Sequence, residues 1–390
     1  MPLYVTLPPG IKVPITFSMF EEKKNCILCK FKSQDQEGLV EIKYPLDIVD
    51  SENPDEFQIF LLVKNDLNEN DIFQVFDKSP TPRRIGWCFP IQALNSTDHS
   101  FADNRHFLPY AYVAANKLIS ECPDNSNISI PSIDDTEPVE FTDFFPDSIA
   151  ILIIHLPSIV PDTNFNLEKW VASLFIHGYI PLGTRPPIDL IWLGEKPEGK
   201  EPKILLKPIS SALDISPFIS TVLTDLIAFE RNNLLVFFYL YQVIEFLMEK
   251  VYLIEQEVLI DELLKVRNDS VKSKDILSDI QGLSSEKKRI NRLINCYCKT
   301  LKNSDYNDLL ESCNKFHKEN DDKEYNDIGE ALYKVRNVLF HQYRNVSSTQ
   351  QSVLSDIIPN LIYFVINMLF NFSNDKAEKR YIEKIPESSK

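Results

Sequence analysis

The residues best suited to chemistry lie together in Tyr333-Lys334-Val335-Arg336-Asn337-Val338-Leu339-Phe340-His341-Gln342-Tyr343-Arg344. Arg336, Asn337 and His341 place a permanent cation, an amide and an imidazole within six consecutive residues. An arginine stays charged at any physiological pH and can hold a phosphate through two parallel hydrogen bonds, while a histidine gives or takes a proton near neutrality. Such a set can cleave a phosphodiester, and it needs no metal ion to do so.

These side chains need a helix to carry them. Ile328, Leu332, Val335 and Leu339 recur at i, i+4, i+7 and i+11, so one apolar stripe faces a core and leaves Asn337, His341 and Arg344 on another face. Arg336 and His341 are five residues apart, about 140° around an ideal helix, so one straight helix does not aim both at one atom.

The chain of 390 residues predicts two domains. Residues 1–203 read as an α+β, strand-rich domain. Gly38 to Ile42, Phe57 to Val63, Ile149 to Leu156 and Leu174 to Ile180 are its strand candidates, and Tyr110 to Glu121 and Leu167 to Phe175 are short helix candidates. Prolines at Pro8-Pro9, Pro80, Pro82 and Pro186-Pro187 break longer helices there. The charged, Gly- and Pro-broken run Gly194 to Pro202 reads as a linker or exposed loop. Residues 204–374 read as an all-α domain, with helices near 217–229, 232–255, 257–267, 272–281, 284–302, 304–317, 324–344 and 348–372. Residues 375–390 form a charged tail.

Composition narrows the function classes. A net charge of -16 argues against broad, charge-driven nucleic-acid binding, so any such contact must be local. Seven cysteines, an odd number, read as reduced thiols of a cytoplasmic protein, and the start of the chain carries no secretory signal. The greasy runs Ser148 to His155 and Leu234 to Leu240 are too short to span a bilayer, so no membrane association is expected.

At Arg336 to His341 the sequence resembles the Arg-polar-x3-His signature of HEPN domains, helical bundles many of which are ribonucleases. Extended to Tyr343, the segment reads Arg-x4-His-x-Tyr, the form seen in HEPN toxins paired with nucleotidyltransferase antitoxins. Phe238 to Glu245 resembles an early long helix of larger HEPN proteins, and Ser348 to Phe372 supplies the apolar helix that would follow the motif helix. The resemblance is confined to the helical half. It implies a metal-independent endoribonuclease without a cofactor, acting as a homodimer with two motif helices facing across a cleft. It assigns His341 to proton transfer at the ribose 2′-hydroxyl, Arg336 to the scissile phosphate and Asn337 to orienting either. Tyr343 would contact substrate or, as in the paired toxins, be the point where a partner attaches AMP. A dimer cleft would concentrate Arg336, Arg344, Lys334 and Arg231 around RNA. The expected biology is that of a toxin or anti-phage effector held by an antitoxin, or released by an activator acting on the N-terminal domain. The rival expectation is a non-catalytic HEPN module for dimerisation, with the N-terminal domain as the binding unit.

Other candidates read as structural. Cys26-Ile27-Leu28-Cys29 has zinc-knuckle spacing but no second ligand pair, and Cys296-Tyr297-Cys298 is weaker. His99 and His106 fall in a polar segment read as a solvated loop, while His155 closes an apolar strand and reads as a satisfied histidine. The acidic pairs Asp134-Asp135 and Asp321-Asp322 read as solvated turns. Nine glycines form no phosphate loop, and neither a Gly-x-Ser-x-Gly elbow nor a His-Glu-x-x-His run occurs.

Overall fold

The computed structural model describes residues 2–374, apart from 34–35, 50–52, 123–127, 133–137, 160–164, 184, 198–201, 214–215, 303, 305 and 319–323. The acidic pairs at 134–135 and 321–322 and the tail at 375–390 lie outside the described residues. The chain divides into two compact units, Met1–Lys207 and Pro208–Lys390, the first β-rich and the second helical.

The first unit holds two sheets. Strands β1 (Tyr4–Leu7), β2 (Ile11–Glu21), β3 (Cys26–Lys32) and β4 (Glu37–Lys43) form an antiparallel meander. The second sheet contains β5 (Phe57–Val63), β6 (Phe73–Asp77), β7 (Arg84–Pro90), β8 (Ile149–His155), β9 (Ile180–Pro181) and β10 (Lys203–Leu206). Their order is β10-β6-β7-β8-β5-β9, with β10 parallel to β6 and the remaining pairs antiparallel. Residues Ile149 to Ile154 are all buried, which is why β8 reads as an unbroken apolar run instead of an alternating one. Helix α1 (Leu108–Glu121) runs against β2, β5 and β8, and short helices α2 (Phe141–Phe144) and α3 (Val171–Ile176) complete the unit.

Three expectations change here. Leu174 to Ile180 is not a strand: Val171, Ala172, Leu174 and Phe175 are buried at helical spacing in α3, and Gly178 at φ +78° turns the chain so that only Ile180 and Pro181 pair with β5. The segment from Gly194, read as a linker or exposed loop, is a loop within the first unit and not a linker between units, because β10 returns to the sheet after it and the division falls at Lys207 instead of residue 203. Gly194, at φ +66°, packs so closely on Gly178 that a Cβ would lie 2.0 Å from the Gly178 nitrogen. Beside them the buried Lys64 ammonium donates to the carbonyls of His177 (2.5 Å) and Leu193 (3.2 Å), and Lys196 pairs with the buried carboxylate of Asp71 at 2.6 Å. His99, expected in a solvated loop, is buried, with Nε2 donating to the Ala93 carbonyl at 3.1 Å and its ring edge-on to Phe107. His155 is satisfied as expected, Nδ1 lying 2.7 Å from Ser158 Oγ.

The second unit is built on helices α4 (Pro217–Thr221), α5 (Asn233–Lys265), α6 (Ser270–Leu283), α7 (Glu286–Arg292), α8 (Asn307–His317), α9 (Ile328–His341) and α10 (Ser348–Asn371). The expected break near residue 256 is absent. Helix α5 runs unbroken for 33 residues, about 50 Å, since no Gly or Pro interrupts it and the buried Glu255 is paired with Arg292 of α7. Helix α10 packs on α5 and α8, and α9 packs on α7 and α8. By length and composition α10 could cross a membrane, with a mean hydropathy of 1.7; in this unit Leu354, Ile357, Leu361, Phe364, Val365 and Met368 are buried. Ser347 and Gln350 close a capping box at its start, and the buried Gln350 amide also donates to the Phe316 carbonyl at 3.0 Å.

All seven cysteines are free, and only Cys296 is more than marginally accessible. Burial pushes the thiols of Cys29, Cys88 and Cys298 up to about 12. A thiol titration of the native protein with a disulfide reagent is therefore expected to modify Cys296 first and the other six only on denaturation. Fast reaction of Cys26 or Cys29 would contradict the β2-β3-β4 packing.

Candidate functional site

Helix α9 starts where Asp327 Oδ1 accepts the Glu330 amide at 2.7 Å, so it begins later than residue 324. Ile328, Leu332, Val335 and Leu339 are all buried, as their spacing predicts, and α9 ends at His341 with a 3-10 turn over Tyr343–Asn345. A second anchor comes from α8, where the buried His317 donates from Nε2 to the Ala331 carbonyl at 3.2 Å. Gly329 lets α7 approach: a Cβ there would stand 2.4 Å from Asn291 Oδ1.

Arg336 is half-buried between α5, α7 and its own helix. Its Nη1 donates to Asn337 Oδ1 at 3.2 Å, its Nη2 lies 3.4 Å from Glu245 Oε1, and its Nε lies 3.8 Å from Glu286 Oε1 without a hydrogen bond. The guanidinium carbon sits 4.8 Å from the centre of the Phe340 ring and 5.6 Å from that of Tyr241. Phe340 is itself stacked on Phe238 at 3.9 Å, which ties the end of α9 to α5. Tyr241 Oη donates to Glu286 Oε1 at 2.8 Å. Burial first, with Glu286 beside it, holds this hydroxyl well above its ordinary range, so it stays protonated as a donor.

His341 is exposed and makes no hydrogen bond or ion pair among the described residues. Glu330, eleven residues back on the same helix and so about 16 Å away along its axis, pairs with Lys287 at 2.9 Å. Lys334, Tyr343 and Arg344 are likewise exposed, whereas Asn337 is half-buried against Arg336. One chain thus brings Arg336 and Asn337 together and leaves His341 apart from them. Among the described residues no group of three or more His, Cys, Asp or Glu side chains is placed to hold a metal ion.

Sequence reading missed Glu245, Glu286, Tyr241 and Phe340 as the surroundings of Arg336. Part of that shell was legible: Phe340 follows Arg336 at i+4, and Tyr241 and Glu245 share one face of α5 at the same spacing. Nothing local marks Glu286, which arrives from another helix.

No family model, curated protein or solved structure matches this chain.

Since Leu339 is buried and His341 exposed, Leu339→Ala should lower stability by about 2–5 kcal/mol. His341→Ala should change it by about 0.5 kcal/mol or less. Thermal denaturation of both variants checks this, and a large loss in His341→Ala would contradict its placement.

Proposed function

We propose that this protein is a metal-independent endoribonuclease of the HEPN type, with its helical unit as the nuclease. The carrying observation is Arg336, a half-buried cation with an unsatisfied Nε, seated on a firmly packed helix that ends in the exposed, uncommitted His341. A cation of this kind can take the charge that develops on a phosphorane, and an accessible imidazole can move a proton. The exposed Lys334, Tyr343 and Arg344 are positioned to contact a polyanion locally, which suits a chain of net charge -16.

In the proposed reaction His341 takes the proton from a ribose 2′-hydroxyl. The 2′-oxygen bonds to the adjacent phosphorus and the bond from phosphorus to the 5′-oxygen breaks. That oxygen leaves as a 5′-hydroxyl after accepting a proton from an imidazolium or water, and the other end is a 2′,3′-cyclic phosphate. Arg336 stabilises the charge on the phosphoryl oxygens, and Asn337 fixes the guanidinium that does so. The separation of Arg336 from His341 in one chain favours pairing two copies, so that a second α9 completes the set. The β-rich unit, or a partner acting as antitoxin or activator, would regulate the nuclease as in toxin and anti-phage effectors.

A second reading is favoured by one observation: the guanidinium already lies between two carboxylates, as it would in a non-catalytic interaction module. An RNA carrying a single 2′-deoxy nucleotide separates the two. Under the nuclease reading, cleavage stops at the substituted nucleotide and continues elsewhere, and growth arrest on expression is relieved by His341→Ala. Under the module reading neither effect is seen.

A further inference from the structure

Arg336 has two acidic neighbours, and they are not equivalent. Glu286 is anchored: its Oε1 accepts the Tyr241 hydroxyl at 2.8 Å, and its side chain is 22% exposed. Glu245 is 42% exposed, and its contact to Arg336 Nη2, at 3.4 Å, is its only polar contact among the described residues. The guanidinium carbon lies 4.8 Å from the centre of the Phe340 ring and 5.6 Å from that of Tyr241, so these rings occupy two of its sides. Nε is buried on the side of Glu286 and makes no hydrogen bond, so the donor that Glu245 alone covers, and that a phosphate oxygen can reach once Glu245 moves, is Nη2.

We propose that Glu245 is a displaceable internal counter-ion occupying the place of a phosphodiester oxygen, while Glu286, held by Tyr241, is the fixed carboxylate that positions Arg336. The resting site is thereby self-blocked. Two carboxylates beside one guanidinium leave a local charge of minus one, which repels an incoming phosphate, and displacement of Glu245 into solvent leaves the site neutral around Arg336. Glu245 can leave at little cost because it is already partly solvated and its contact is long. Glu286 cannot leave without stranding the buried Tyr241 hydroxyl. The nature of the ligand, an RNA phosphate, rests on the nuclease reading; the exchange at Arg336 rests on the geometry alone.

The experiment measures anisotropy of a fluorescent 2′-O-methyl oligoribonucleotide, which binds but cannot be cleaved by its own 2′-oxygen, at one fixed salt concentration. Glu245→Gln should tighten binding by about five-fold, the effect of removing one charge near the phosphate. Glu286→Gln removes a like charge but leaves Glu245 on Nη2, so it should tighten binding less than Glu245→Gln does. In an Arg336→Ala background the gain from Glu245→Gln should vanish. An equal gain in that background would reduce it to a change in net charge and overturn the proposal, as would no gain or weaker binding in Glu245→Gln itself. Cleavage of unmodified RNA is assayed in parallel. Cleavage without the binding gain sinks the exchange and leaves the nuclease reading intact, whereas the gain without cleavage by any variant does the reverse.

Discussion

The helical unit depends on keeping a permanent positive charge half-buried at the junction of three helices. Withdrawing a guanidinium from water costs several kcal/mol unless it is paired. Glu245 from α5 and Glu286 from α7 supply the charge, while Phe340 and Tyr241 supply polarisable faces. Each partner must come from a different direction. Helix α5 has to run unbroken past Tyr241 and Glu245, α7 has to begin at Glu286 beside α9, and Gly329 leaves room for the Asn291 side chain of α7. The buried stripe of α9 then sets which face of that helix is turned toward the cluster, and the end of the helix leaves His341 in solvent. The pair of the buried Glu255 with the partly exposed Arg292 repeats the same solution farther along α5.

The distribution of charge acquires a function in this light. A chain of net charge -16 gains little from long-range attraction to a polyanion. Under the proposed nuclease reading, recognition would rest on short-range contacts, and the Arg336 guanidinium would provide one once Glu245 moves aside. In the proposed exchange, pairing that guanidinium with carboxylates in the resting state would hold phosphate binding back until Glu245 is displaced. In the β-rich unit Ile149 to Ile154 of β8 are buried and Lys64 ties the Gly178 and Gly194 turns together.

Much of the layout could be read from the sequence because local physics decided it. The spacing of Ile328, Leu332, Val335 and Leu339 identified the buried face of α9, and β5 and β8 stood out as apolar runs between turn residues. What could not be read depends on partners far away along the chain. Glu286 looks like one more exposed acid in a Lys- and Arg-rich run until α7 is placed beside Arg336, and His99 looks solvated until Phe107 and the Ala93 carbonyl close around it. The run from Gly194 has a linker's composition, yet its glycine is there for close packing on Gly178 and its Lys196 for Asp71. Helix α5 reads as two helices, 232–255 and 257–267, yet it is continuous where the buried Glu255 pairs with Arg292.

The central claim is that Arg336 and His341 cut RNA without a metal, and the most direct measurement is end-group analysis of total RNA incubated with wild-type and His341→Ala protein in excess EDTA. Fragments with 2′,3′-cyclic phosphate and 5′-hydroxyl ends, formed by the wild type and missing with the variant, are the predicted result. Identical RNA profiles for the two proteins, or fragments ending in 3′-hydroxyls, would contradict it.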